Sequence, residues 1–184
     1  MPLPQTNPEP QLELRAIFLA HHRQLFNIAY RLTGSREEAE DVVQQIFVRL
    51  SRDLARFRRE AELSTWLYRI VVNSSLDVLR RFRRRRRQEI PMSLIVNEPF
   101  HSTAAETHLH RAELAEKLQQ ALARLRPPFR AVIVLRDFED MTYDQIAEVL
   151  RLDAGTVASR LSRARLKLKS ELKRLGIDQS YLEN

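Results

Sequence analysis

The sequence contains no cysteine. Disulfide scaffolding and thiol catalysis are thereby excluded, and any redox sensing must belong to another molecule. Glycine is nearly absent as well, with three in 184 residues, while Leu, Ala, Arg, Glu and Gln abound. So little of the residue that loosens a backbone, beside so many helix formers, predicts an all-α protein. Long apolar runs are missing too: "AVIVL" at 131–135 is typical, far short of the roughly 20 residues that span a bilayer. The opening "MPLPQTNPEPQ" has no apolar signal core, so no direct membrane insertion is expected and a cytoplasmic location follows as the default. The five histidines, His21, His22, His101, His108 and His110, form no metal-ligand spacing with carboxylates. No metal, no other cofactor and no small-molecule substrate is therefore expected.

What is present is positive charge in one place. The formal net charge is +7, from 31 basic and 24 acidic residues. The stretch "RRFRRRRR", Arg80 to Arg87, holds seven arginines, and without them 24 basic residues face 24 acidic ones. One block thus supplies the whole excess. Such a block fits an anionic polymer, most often nucleic acid; a solvated tail or attraction to anionic lipid is the blander alternative.

Apolar periodicity divides the chain into helices. Leu14, Ile17, Phe18, Leu25, Ile28, Ala29 and Leu32 follow a helical period that Gly34 ends. Ser35 and Glu38 fit a capping box, and Ala39, Val42, Val43, Ile46, Phe47 and Leu50 make the apolar stripe of the next helix. Asp41, Gln44, Gln45 and Val48 form a second stripe on an adjacent face. "ARFRREAELS" breaks the pattern and is expected to be a loop. A long helix then runs from about Ser64 into the arginine block, with Leu67, Val71, Val78 and Phe82 inward. Residues 89–107 lack a period and hold two prolines, which predicts a flexible linker. The expected layout is a disordered tail (1–11), a first helical domain (12–88), the linker (89–107), a second helical domain (108–176) and a tail (177–184). The fold class is all-α: two small helical domains joined by a flexible linker, the second containing a helix-turn-helix.

In the second domain, Thr103 and Glu106 suggest a capping box that opens a helix up to Leu125. Pro127 and Pro128 favour the first turn of a helix holding Phe129, Val132, Ile133 and Leu135. Thr142 and Gln145 form another capping box. The short helix after it carries Ile146, Ala147, Val149 and Leu150 inward. Arg151, Leu152 and Asp153 make a turn, and Asp153 caps a last helix whose seam is Val157, Leu161, Ala164 and Leu168. Short helix, three-residue turn and basic second helix are a helix-turn-helix pattern. Its second helix fits the major groove, with Ser159, Arg160, Ser162, Arg163 and Arg165 outward. The capped helix start is also suited to a nearby phosphate. A plain helical hairpin with a basic solvated face is the structural alternative.

Three stretches together resemble the extracytoplasmic-function sigma factors of bacterial RNA polymerase: "LFNIAYRLTGSREEAEDVVQQIFVRL", "FRREAELSTWLYRIVVNSSLDVLRRFRRR" and "LRPPFRAVIVLRDFEDMTYDQIAEVLRLDAGTVASRLSRARLKL". The resemblance covers about residues 12–87 and 108–174, as sigma regions two and four. It implies two partners, RNA polymerase core and promoter DNA, and often a third, an anti-sigma factor. It implies that Asp41, Gln44, Gln45 and Val48 face the polymerase, where acid and amide groups can bind arginines. By the same likeness, Phe57, Arg58 and Glu62 lie where the family captures a flipped base of the minus-ten element. Trp66 and Tyr68 serve there as stacking surfaces or as core residues, Asn73 meets a base edge, and Arg69, Arg80, Arg81 and Arg84 hold phosphates. For the minus-thirty-five element it implies Arg136, Thr156, Ser159, Arg160, Ser162, Arg163 and Arg165. Ala158 stands where the family usually carries Lys or Arg, and Arg151 near where it often carries Gly.

The function so implied is that of an alternative sigma factor, a non-enzyme that directs promoter recognition, melting and transcription initiation. A helix-turn-helix regulator acting without core polymerase would explain residues 141–169, but it leaves "EDVVQQIF" and the Trp66 helix without a role. An adaptor that binds only proteins leaves both basic elements unexplained.

Overall fold

The computed structural model describes residues 8–53, 60–88 and 106–177, and among these every regular element is helical. They are α1 (Pro8–Thr33), α2 (Arg36–Asp53), α3 (Glu60–Gln88), α4 (Glu106–Arg124), α5 (Pro127–Ile133), a π-helical turn (Val134–Phe138), α6 (Tyr143–Leu150) and α7 (Ala154–Arg174). Gly34 ends α1 at φ 80°, a left-handed conformation open to glycine without a Cβ penalty, and its N–H bonds the Tyr30 carbonyl at 2.8 Å. Of the capping box expected next, one half forms: the Glu38 N–H donates to Ser35 Oγ at 3.3 Å. The Ser35 N–H turns instead to Thr33 Oγ1. The stripe of α2 is buried throughout. α3 begins at Glu60, so residues 60–64 are helical rather than loop, while residues 54–59 lie outside the described residues. Most of the expected linker and both chain ends lie outside them too.

In the second half, Pro127 and Pro128 open α5, where a missing N–H costs nothing. The helix expected to carry on through Leu135 instead widens into the π turn, closed where the Met141 N–H reaches the Leu135 carbonyl at 3.1 Å. Thr142 and Gln145 form both halves of their capping box. α6 ends on Arg151, a non-glycine residue held left-handed at φ 54°. Asp153 then caps α7 through the Thr156 N–H at 2.7 Å.

α1 packs on α2 and α3, and α7 on α4, α5 and α6. The halves also meet: α1 touches α4, α5 and the π turn, and α3 touches α5 and α6. Side chains from both sides, from Leu25 to Val78 and from Leu122 to Ala164, make one contiguous apolar core. Polar groups stitch the seam. The last carbonyls of a helix have no partner within it, and those of α1 are met by the other half. Gln119 Nε2 donates to the carbonyls of Tyr30 (3.1 Å) and Arg31 (3.4 Å). Arg130, only 4% exposed, donates to the Leu32 carbonyl and to those of Ala123 (2.6 Å) and Leu125 (3.4 Å). One guanidinium therefore closes the ends of α1 and α4 together.

Candidate polymerase and nucleic-acid interfaces

On α2, burying one stripe leaves the adjacent one outside: Asp41, Gln44, Gln45 and Val48 are all exposed. α1 adds apolar surface that the sequence pattern had assigned inward. Phe18 is 39% exposed, stacked on His22 at 4.7 Å and edge-on to Phe47 at 4.8 Å, and Leu19 beside it is more exposed still. Phe18 keeps the helical period, so periodicity alone had no means of showing that it sits at the rim of the core.

α3 carries two different surfaces. Its amino-terminal part is covered. Trp66 and Tyr68 are half-buried against the core. The Tyr68 hydroxyl accepts from Gln24 Nε2 at 2.6 Å, and the same nitrogen donates to Glu139 Oε2 at 2.9 Å. Burial, and then the charge of Glu139, push the Tyr68 phenol up. Arg69 reaches Glu148 of α6 at 3.4 Å. The carboxy-terminal part is open: Asn73, Arg80, Arg81 and Arg84 are exposed, with Arg80 paired to Asp77 one turn earlier. Phe57 and Arg58 lie outside the described residues, and of Glu62 only the backbone is described, within α3.

α7 buries Val157, Leu161 and Ala164, which turns Ser159, Ser162 and Arg163 outward on one face. Arg163 folds back along that face, with Nε donating to the Ser159 carbonyl at 3.2 Å. Thr156 and Arg160 are half-buried, the Thr156 hydroxyl donating to Asp153 Oδ2 at 2.6 Å. These two bonds from Thr156 hold the Asp153 carboxyl below the usual carboxylate range. The start of α7 thus carries the negative charge of its Asp153 cap. Arg165 is held by Asp137 of the π turn, which pushes its guanidinium further up. Arg136 donates to the Met141 carbonyl at 2.9 Å and lies over the Tyr143 ring.

The π turn, whose role the sequence did not reveal, faces two ways. Asp137 meets the arginine of α7. Phe138 lies under Arg31 of α1, 4.4 Å from ring centroid to guanidinium carbon, and Glu139 just after it pairs with Arg31 at 3.6 Å. With a side chain only 6% exposed, Glu139 is pushed up by burial, against the Gln24 hydrogen bond and the Arg31 charge. Among the described residues no cluster of His, Asp or Glu could hold a metal ion, and no helix is long and apolar enough to cross a membrane.

Comparison with known proteins matches both halves. Residues 17–87 fit the family model of sigma-70 region 2, and residues 115–168 that of sigma-70 region 4. The chain is 36% identical over 152 residues to the ECF RNA polymerase sigma factor SigE of Mycolicibacterium smegmatis, a match covering 83% of this chain and 58% of that relative. It is 30% identical over 156 residues to the RNA polymerase sigma factor YlaC of Bacillus subtilis, covering 85% of this chain and 90% of the relative. In fold it is similar to the sigma factor RpoE of Bartonella quintana, solved in complex with the anti-sigma factor NepR: TM-score 0.67, 23% identity, 91% of this chain and 98% of that one.

Proposed function

The chain belongs to the extracytoplasmic-function sigma factors of bacterial RNA polymerase, and from that premise we propose that it binds core polymerase and directs promoter recognition, DNA melting and transcription initiation. The observation that carries this reading is the pairing, in one chain, of an α2 with an exposed acid-and-amide stripe and an α7 with an exposed serine-and-arginine face. Asp41, Gln44, Gln45 and Val48 dock on the polymerase, where arginines bind carboxylates and amides. The exposed end of α3 tracks the minus-ten element: Asn73 meets a base edge, and Arg80, Arg81 and Arg84 hold phosphates. Phe57, Arg58, Glu62, Trp66 and Arg69 belong to the same element in this reading. Unstacking a base costs a few kcal/mol and aromatic stacking returns about 1–3 of it. Arg136, Thr156, Ser159, Arg160, Ser162, Arg163 and Arg165 serve the minus-thirty-five element.

The protein itself makes and breaks no covalent bond in this role and works in the cytoplasm. Residues 12–88 and 108–176 act as the two functional units, joined by 89–107. An anti-sigma factor is its proposed regulator, as NepR is the partner in the Bartonella structure. The test is transcription in vitro from genomic DNA with core polymerase, with and without this chain, and sequencing of the RNA 5′ ends. A set of starts that appears only with the chain, sharing upstream elements, supports the proposal. DNA binding with no change in starts would favour a regulator that works without core.

A further inference from the structure

We infer that a groove beside the outward face of α7 takes the C5-methyl group of a thymine in the minus-thirty-five element, which makes Ala158, Leu166 and Tyr143 specificity-determining residues. The inference rests on the proposed DNA role of α7 and deepens it. The groove has a volume of about 370 Å³ and lies between α7 and the start of α6. Leu161 is its buried base, Ala158 is half-buried, and Tyr143 and Leu166 are exposed, Leu166 by 69%. Ser162 stands among them, and Arg165 and Lys169 line the end toward the carboxy terminus. A longer side chain at position 158 would fill this space; alanine leaves it open.

Spacing ties the groove to base edges. Ala158, Ser162 and Leu166 are four residues apart, so they share one line along α7, each about 6 Å from the next. Ser162 also belongs to the face with Ser159 and Arg163 that is turned outward. A duplex close enough for the Ser162 hydroxyl to meet a base therefore lies against Ala158 and Leu166 as well. The one methyl that base pairs carry in the major groove is that of thymine. A polar base edge pressed on Leu166 would lose water without gaining a partner, so the groove favours thymine over the other bases. Two neighbouring cations already have partners. Arg165 is tied to Asp137 of the π turn, and Arg136 lies over the Tyr143 ring at 5.7 Å. These walls are thus set before DNA arrives. An apolar strip edged by cations would also suit an acidic helix of a protein, but Ser162, shared with the outward face, favours DNA.

Deoxyuridine makes the test direct, because it pairs as thymidine does and lacks only the methyl. Promoters are taken from the starts that core polymerase makes with this chain, and each minus-thirty-five thymine, on either strand, is replaced in turn. At one position the holoenzyme should bind the uracil duplex about fourfold more weakly, the equivalent of the ~0.8 kcal/mol that one buried carbon contributes. Leu166→Ser alters an exposed position, so melting should not change, and it should shrink that penalty below about twofold. Ala158→Lys, which puts a long side chain into the groove, should do the same. Ser170→Ala, exposed further along α7, should keep the penalty whole. A minus-thirty-five element without thymine, or equal binding of thymine and uracil duplexes at every position, would overturn the inference, as would a penalty that survives both groove variants. Transcription that falls in Leu166→Ser, on promoters where uracil makes no difference, would give the groove to a protein instead. Failure of the sigma-factor reading is separately visible: no promoter-directed RNA would form from core plus the unmodified chain, and the inference would fall with it.

Discussion

Arg130→Met tests the seam at its centre. The guanidinium donates to the Leu32, Ala123 and Leu125 carbonyls, the first two at close range. Burial, and then Arg83, bring its pKa down to about 10, still well above neutrality, so the group stays charged. Methionine fills similar space without a donor. The buried Leu32 carbonyl and the part-buried Ala123 carbonyl, left unpaired, cost at most about 1–3 kcal/mol each, or roughly 2–6 together. Removing a costly buried charge offsets part of this, which leaves a loss of about 2–3 kcal/mol. For a chain of this size each kcal/mol moves Tm by about 2–4 °C, so calorimetry should show a fall of about 4–12 °C. Arg130→Lys, which retains the charge with a single nitrogen, should lose roughly half as much on the same scale. Hydrogen exchange gives the sharper reading: the last turns of α1 and α4 should lose protection together, although they are far apart in sequence. A fall below about 2 °C, on the same Tm scale, would mean that the two helix ends do not depend on this guanidinium and that the cap argument is wrong.

Asp41→Ala with Gln44→Ala removes exposed side chains only, so melting should stay nearly unchanged while affinity for core polymerase falls; unchanged affinity in a pull-down titration would remove that face from the interface. Arg163→Ala should discriminate against the cognate minus-thirty-five sequence by about 1–3 kcal/mol relative to a scrambled one. Arg84→Ala with Arg85→Ala should weaken both DNAs alike and flatten the salt dependence, by about 0.9 for each duplex phosphate no longer neutralised; holoenzyme binding across a salt series reads both. Arg151→Gly relieves a left-handed non-glycine residue at the end of α6 and should stabilise by about 0.5–1 kcal/mol, the strain of about 1–2 less the entropy glycine loses, seen as a small rise in Tm. Glu139 is raised when folded, so the folded state keeps its proton to higher pH than the unfolded chain, and stability declines as pH climbs through the folded value. Glu139→Gln should flatten that decline just above the ordinary carboxylate range without lowering Tm at neutral pH, and a steeper decline in the variant would contradict the burial argument.

The local grammar of the chain was legible. Gly34, the Thr142 and Gln145 box, the Asp153 cap and the three residues between α6 and α7 stand where their chemistry demands. So does the stripe of α2, and with it the exposed face of Asp41, Gln44, Gln45 and Val48. The π turn was not legible, because "VLRDF" keeps an ordinary helical composition and its widening is fixed by where Leu135 and Met141 meet. The seam was hidden for a related reason. Gln119 and Arg130 carry no local pattern of their own, and nothing near them in sequence announces partners 89 and 98 positions away. Glu148 likewise carries no local signal that it holds an arginine of α3.

The capping of α1 by Gln119 and Arg130 also has a meaning in time. A ribosome adds about 5–20 residues per second, so the end of α1 leaves the tunnel roughly 5–20 seconds before Arg130 does. Throughout that interval the Tyr30 carbonyl keeps the Gly34 N–H, but those of Arg31 and Leu32 are left to water, and the first three helices must be tolerable in that form.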